Sequence, residues 1–161
     1  MALFTAGQKI RASQLNVGLG TYSRYVGTST ALAVGGNAVP FATLSQGSGA
    51  GLTVSGGNTT FTLAAGCWHV EFGAVVDQTS HTGVTGAFFA LATNASLPSG
   101  SAYAETNIGV ALGQVAGTIS ADIESDGTFV VIPVIFLVGA ASVITLGSGL
   151  APRLTFKQVN D

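Results

Sequence analysis

Few residues of this chain could act as acids, bases or nucleophiles near neutral pH, and their spacing does not group them. Only His69 and His81 have side chains that titrate in that range. Cys67 is the single cysteine, and its position beside Trp68 favours a small packing residue over a nucleophile. Two histidines and one cysteine match no recognised zinc spacing. We therefore predict that the protein is not an enzyme and carries no cofactor.

Three carboxylates, Asp122, Glu124 and Asp126, alternate along the sequence up to a turn. Oxygen ligands at such spacing can hold Ca²⁺. Acidic side chains on a strand also form a solvated edge that discourages unwanted strand pairing, and we favour this second interpretation. His69 and Glu71 share one strand face and could touch a common cation, but surface positions are the simpler explanation. We predict no bound metal.

The elements that must position these residues are short strands. Residues 67–77 show the clearest period of two, with Trp68, Val70, Phe72, Ala74 and Val76 on one face. Turns rich in Gly, Asn and Ser separate eight to ten such segments, and no convincing helix follows residue 20. The pattern predicts an all-β sandwich or jelly roll. The predicted strands are Val39–Leu44, Leu52–Val54, Thr59–Leu63, Cys67–Asp77, Ala87–Thr93, Glu105–Val115, Gly117–Ile123, Phe129–Val138, Val143–Leu146 and Leu154–Val159.

Composition limits the classes of partner. The 161 residues suit one domain, and charged residues are only 7% of them. The net charge of −2 and the lack of interleaved basic and aromatic residues argue against a nucleic-acid partner. Lys9, Arg11 and Arg24 are the only charges before Glu71, which indicates a basic N-terminal arm. Residues 1–10 lack the apolar core of a secretion signal, so synthesis in a cytoplasm is expected.

The segment Phe129–Val138 has no polar side chain on either face of the predicted strand. One face can line the core, and the other needs a second cover, for which a second copy of the chain is our preferred interpretation. A monomer that covers both faces itself is the alternative. A membrane helix is disfavoured because the apolar tract is short and Pro133 interrupts it. The predicted interface residues are Val130, Ile132, Val134, Phe136 and Val138.

The order of several phrases resembles the tumour-necrosis-factor-like jelly roll, a superfamily that includes the heads of complement-type collagenous proteins. The segment Phe61–Val70 stands where an inner strand of the family begins, and Asp126-Gly127 precedes the apolar strand. The segment Leu154–Phe156 stands where the family closes its domain. The resemblance covers residues 39–159. It implies a tumour-necrosis-factor-like jelly-roll β-sandwich that assembles as a homotrimer.

The opening phrase Phe4–Asn16 resembles the start of many structural proteins of tailed bacteriophages. The resemblance implies a virion protein, with a docking arm at residues 1–24 and a jelly-roll head at residues 25–161. No shaft repeat precedes the head, which favours a capsid decoration or head-surface protein on the capsid surface. The arm is expected to bind the major capsid protein of the phage through Phe4, Lys9, Ile10, Arg11 and Leu15.

The alternative function is a tail-tip or fibre head that binds a host receptor or a host surface glycan. Exposed aromatic residues would mark that role, and Tyr22, Tyr25 and Tyr103 lie outside the apolar strand pattern. Neither function involves a membrane.

Overall fold

The computed structural model describes residues 21–28, 31–77, 84–96, 101–107, 114–139, 144–146 and 151–159. These residues form strands and connections, and they include no helix. No helix within the described ranges could therefore cross a membrane. The described strands are β1 (Tyr22–Val26), β2 (Ala31–Leu32), β3 (Gly35–Ala38), β4 (Thr43–Gly47), β5 (Leu52–Ser55), β6 (Thr60–Leu63), β7 (Gly66–Asp77), β8 (Val84–Ala92), β9 (Ala102–Asn107), β10 (Gln114–Ser125), β11 (Val130–Gly139), β12 (Ile144–Leu146) and β13 (Arg153–Val159).

The strands form two antiparallel sheets. In the first sheet the order is β10–β7–β13–β1–β4, and the short β12 and β2 continue beside the far end of β7. In the second sheet the order is β5–β6–β11–β8–β9, and β3 pairs with β11 beyond β6. The all-β sandwich predicted from the sequence is therefore confirmed.

The core lies between the sheets and is built mainly from alternate residues of the strands. On β7, Trp68, Val70 and Phe72 point inward and are at most 1% exposed. On β11, Val131, Ile135 and Leu137 face them from the other sheet and are fully buried. Aromatic rings join the two layers, mostly edge to face, as rings prefer because of their quadrupoles. These rings belong to Tyr25, Phe41, Phe61, Phe72, Phe89 and Phe156.

Two predicted strands are placed wrongly. The predicted strand Val39–Leu44 is a connection over residues 39–42, between β3 and β4. Pro40 has no N–H for a ladder, and the amides on either side of it donate to Pro133 and Asn58 instead. The predicted strand Glu105–Val115 begins inside β9 and ends inside β10, which extends from residue 114 to residue 125 as one strand. Its residues 108–113 lie outside the described ranges.

The strand β1 lies across the predicted boundary between arm and head. Tyr22 and Arg24 are paired with β13, and Ser23 is buried. Residues 22–24 therefore belong to the sandwich. Residues 1–20 lie outside the described ranges, so the arm itself stays a prediction.

Candidate functional site

The outer face of β11 is the first candidate surface, and it consists of the five predicted interface residues. Val134 is fully buried in the single chain, Val138 is 39% exposed, and Val130, Ile132 and Phe136 are half-buried. This flank of β11 is thus apolar, as the sequence predicts, but it is only partly open.

The chain covers part of this face with its own β8–β9 connection. The carbonyl oxygen of Ala95 lies directly above Gly36 of β3, at a place where any side chain would collide with it. Ala95 packs with Ala90, Ala92 and Val134 in a small second cluster. The chain therefore covers Val134 itself, as the alternative interpretation of this flank allows. The trimer interface itself stays a prediction.

The outward side of the first sheet is the second candidate surface, which we call the charged face. It displays side chains from four adjacent strands, because the intervening residues of each strand point into the core. Every Lys and Arg that the structure describes lies on it. Its charged residues and its histidine are Arg24 on β1, Arg153 and Lys157 on β13, His69 and Glu71 on β7, and Asp122 and Glu124 on β10.

The charged face is divided into a basic half and an acidic half. The neighbouring strands β1 and β13 carry the three cations, and β7 and β10 carry the carboxylates of Glu71, Asp122 and Glu124. His69 Nδ1 lies 2.7 Å from Asp122 Oδ1 within the acidic half. This is the only ion pair recorded in the described part of the chain. The cations and carboxylates of the two halves are therefore not paired with each other.

The three carboxylates near the turn do not converge. Asp122 and Glu124 point outward from β10, whereas Asp126 lies in the turn that follows. Asp126 Oδ1 accepts hydrogen bonds from the backbone N–H and the hydroxyl of Thr128, which lower the pKa of this carboxyl. Its role is thus to hold the turn. Over the described ranges, no three His, Cys, Asp or Glu side chains meet as a metal site, and His81 lies outside them.

The comparisons with known proteins found matches among solved structures only. No protein-family model matches the sequence, and no curated protein does. A crystal structure of murine APRIL at pH 5.0 matches with a TM-score of 0.60 and 11% identity, covering 87% of this chain and 99% of that one. The PRD1 vertex protein P5 matches with a TM-score of 0.53 and 14% identity, covering 89% and 99%.

The fold is a tumour-necrosis-factor-like jelly roll. A second structure of murine APRIL, at pH 8.0, agrees with a TM-score of 0.57 and 12% identity, over 86% of this chain and 98% of that one. Identities this low establish the fold alone.

The three tyrosines occupy different places in the jelly roll. Tyr25 is only 7% exposed and packs in the core, so its assignment as a surface candidate is wrong. Tyr22 is 41% exposed on the charged face. The Tyr103 hydroxyl donates to the backbone oxygen of Val130 at 2.9 Å, and its ring lies 6.2 Å from that of Phe129, which is 37% exposed.

The jelly roll is expected to lose stability at alkaline pH. Burial raises the pKa of Tyr25 and of Tyr103 above the ordinary value of 10.0. Both phenols are therefore neutral in the folded protein. Their contribution to the free energy of unfolding is complete below pH 10 and is lost as pH rises through the higher pKa of the folded state. The midpoint of urea unfolding should be lower at pH 11 than at pH 8. Replacing Tyr103 with Phe should reduce this loss, and an unchanged midpoint in the wild type would contradict the prediction.

The point where the predicted arm meets the jelly roll is fixed by Gln158 of β13. Its backbone N–H donates to Thr21 O at 2.8 Å, and the Thr21 hydroxyl donates to Gln158 Oε1 at 2.9 Å. Its Nε2 donates to Ala65 O at 3.1 Å. Residue 21 is thus held beside the end of β13. The predicted capsid-binding residues lie outside the described ranges: Phe4, Lys9, Ile10, Arg11 and Leu15.

Proposed function

We propose that the chain is a structural protein of a phage virion, a homotrimeric decoration or head-surface protein. Its jelly-roll head covers the capsid surface, and the arm that precedes β1, residues 1–20, binds the major capsid protein. The fold shared with the vertex protein P5 of the phage PRD1, over most of both chains, is the observation that carries this proposal. The phage-like opening phrase Phe4–Asn16 supports it independently.

The chemistry of the head is consistent with a role that needs no catalysis. The one histidine–carboxylate pair in the described residues lies on an open sheet face, where the side chain of Asp122 is 88% exposed. Acid–base catalysis depends on groups whose proton affinity is set by a shielded pocket. The charged face provides no such shielding. We therefore propose a binding protein without enzymatic activity.

The proposed trimer needs a contact surface large enough to offset the cost of association. A standard interface buries about 800 Å² on each partner. Such an interface has to offset about 4–15 kcal/mol of lost translational and rotational freedom. The exposed part of the β11 outer face, with Val138 at its end, is one candidate for that surface.

Deleting residues 1–20 is expected to abolish capsid binding and to leave the head folded. The deletion ends just before Thr21, so the hydrogen bonds between Thr21 and Gln158 are retained. The test is co-sedimentation with purified capsids that lack the protein, together with mass by light scattering and the melting temperature. The expected result is an unchanged number of copies per assembly and an unchanged melting temperature, with no protein in the capsid pellet.

A matched variant, Lys9→Ala with Arg11→Ala, keeps the arm and removes its two cations. Reduced binding by this variant would assign part of the affinity to charge. Full binding by the deleted chain would overturn the docking role of the arm.

A tail-tip or fibre head that binds a host receptor or surface glycan is the second candidate. The observation that favours it is the tilted pair of rings Tyr103 and Phe129, because exposed aromatic faces suit recognition. Antibodies raised against residues 21–161 would label virions over the whole head under the first proposal. Labelling confined to the tail would favour the second.

A further inference from the structure

We propose that residues 9–11 of the arm bind to the head of their own chain, in a hollow beside the acidic end of β10. Ile10 occupies the hollow, and Lys9 and Arg11 reach the carboxylates at its rim. The inference uses the arm of the proposed function but does not depend on capsid binding. It describes the protein before it meets a capsid, when the basic segment has a site on the head.

The hollow itself is the first argument. It has a volume of about 450 Å³ and lies beside the start of β7 and the ends of β10 and β13. Val159, in its wall, is 45% exposed, more than any other large apolar side chain in the described ranges. A concave site with an exposed apolar wall suits an apolar side chain. The lining residues are Cys67, Trp68, Asp122, Ile123, Glu124 and Val159.

Charge complementarity is the second argument. The two charged residues that line the hollow, Asp122 and Glu124, are both acidic. Glu124 has no recorded hydrogen bond or ion pair among the described residues, and Asp122 contacts His69 through Oδ1 alone. Residues 1–20 contain two cations, Lys9 and Arg11, and no carboxylate. Opposite charges on the two segments favour this pairing and disfavour others.

The spacing of the charges is the third argument. Lys9 and Arg11 are separated by one residue, and so are Asp122 and Glu124. In extended chains, both pairs have side chains on one side, about 7 Å apart. Ile10 then points to the other side of the arm. The long aliphatic stems of Lys and Arg allow their charged ends to bend past this contact to the rim.

The length of the arm is the fourth argument. Thr21 is held beside Gln158 on β13, which lies opposite Trp68 on β7, and Trp68 lies opposite Ile123 on β10. Three strand spacings, about 14 Å, therefore separate Thr21 from β10. Residues 12–20 span up to about 30 Å when extended. The arm thus reaches the hollow of its own chain, and the covalent link gives it a high local concentration there.

The reactivity of Cys67 tests the proposal. Cys67 is the single cysteine of the chain and lines the hollow, so its reaction with a maleimide reports whether the hollow is covered. Protection is the rate for the chain without residues 1–20 divided by the rate for the same chain with the arm. This ratio cancels any effect of a substitution on the thiol itself. We expect protection of at least about threefold at low salt, falling towards one at high salt because exposed ion pairs are screened.

Charge reversal on either side should remove the protection. The arm variant carries Lys9→Glu with Arg11→Glu, and the head variant carries Asp122→Lys with Glu124→Lys. The chain with all four substitutions again has opposite charges, so its protection should return to within about twofold of the wild type. Glu105→Lys is the control, because Glu105 is exposed on β9 and does not line the hollow. Melting temperatures show whether each variant is folded.

A disulfide tests the position of Ile10 directly. Ile10→Cys, treated with oxidised glutathione, should form an intrachain disulfide with Cys67, at a rate that does not depend on protein concentration. The product is a monomer of altered mobility on a denaturing gel without reductant. The head variant Asp122→Lys with Glu124→Lys should form it at least about threefold more slowly.

The outcomes separate this inference from capsid binding. Equal rates for Cys67 with and without the arm would overturn the inference, and so would an equal loss of protection by Glu105→Lys. Disulfide-linked dimers in place of the intrachain product would assign the arm to a neighbouring copy and overturn the binding within one chain. Because no capsid is present, a chain that needs its arm for co-sedimentation but shows no protection of Cys67 would leave the proposed function standing and overturn this inference alone.

Discussion

Replacing Trp68 with Ala is expected to lower the free energy of unfolding by about 3–5 kcal/mol. Trp68 is 1% exposed and is among the largest fully buried side chains of the core. Its Nε1 donates to Ala64 O at 2.9 Å, which ties β7 to the turn before it. A Cβ added at Gly51 would lie only 3.0 Å from Cη2 and Cζ2 of the Trp68 ring, so this site is closely packed. Truncation would leave a large cavity and an unpaired carbonyl.

Urea unfolding followed by far-ultraviolet circular dichroism measures this loss, because Trp68 is the only tryptophan and its fluorescence disappears with it. Trp68→Phe retains most of the ring volume and should lie between the wild type and Trp68→Ala. Val159→Ala is the surface control, since Val159 is 45% exposed, and it should change stability by less than about 0.5 kcal/mol. A loss below about 1 kcal/mol for Trp68→Ala would show that the core is not packed as described.

Replacing Gly36 with Ala is expected to displace the β8–β9 connection from the second sheet. A Cβ at Gly36 would lie 1.6 Å from Ala95 O and 2.7 Å from Ala95 C, so the connection must move away. Movement would uncover Ala90, Ala92 and Val134, which are fully buried. The expected cost is about 1–3 kcal/mol, as for other overpacked sites.

Gly35→Ala is the matched control for this substitution. Gly35 has a φ of +96°, and a Cβ there would meet nothing within 4 Å. Gly35→Ala should therefore cost about 1–2 kcal/mol, because Ala is unfavourable in this backbone conformation, but it should not move the connection. Binding of a dye specific for exposed apolar surface should increase for Gly36→Ala and not for Gly35→Ala. Equal dye binding by the two variants would contradict the covering role of Ala95.

The strands with a clear pattern are those that the sequence predicts well. Alternation on β7 holds from Trp68 to Ala74 because one face lines the core and the other faces solvent, and the structure places Trp68 and Phe72 inward as expected. Val75, on the outward face, is buried as well. The segment Phe129–Val138 is apolar on both faces, and the structure buries one of them in the core and partly covers the other. In both strands, the type of every second residue indicates whether that face of the strand is buried.

Other features depend on distant contacts that no local pattern encodes. The strand Gly35–Ala38 consists of residues with low strand propensity, and its pairing with β11 decides its conformation. Tyr25 resembles a surface aromatic in the sequence, yet its ring packs against Phe61 and Phe156. The charged face joins residues that are far apart in the sequence, and only the strand order brings them together.

The clamp between Thr21 and Gln158 has a practical consequence for engineering. It brings the start of β1 and the end of β13 to one pole of the jelly roll, beside the Ala64–Ala65 turn. The Gly56–Asn58 hairpin tip lies at the other end of β6 from that turn, where Asn58 O accepts from Phe41 N and Gly57 has open space around it. If the pole that carries Thr21 faces a shell, a fusion placed directly before Thr21 or directly after Val159 would lie between the head and the shell. An epitope grafted into the hairpin tip would instead lie away from that pole.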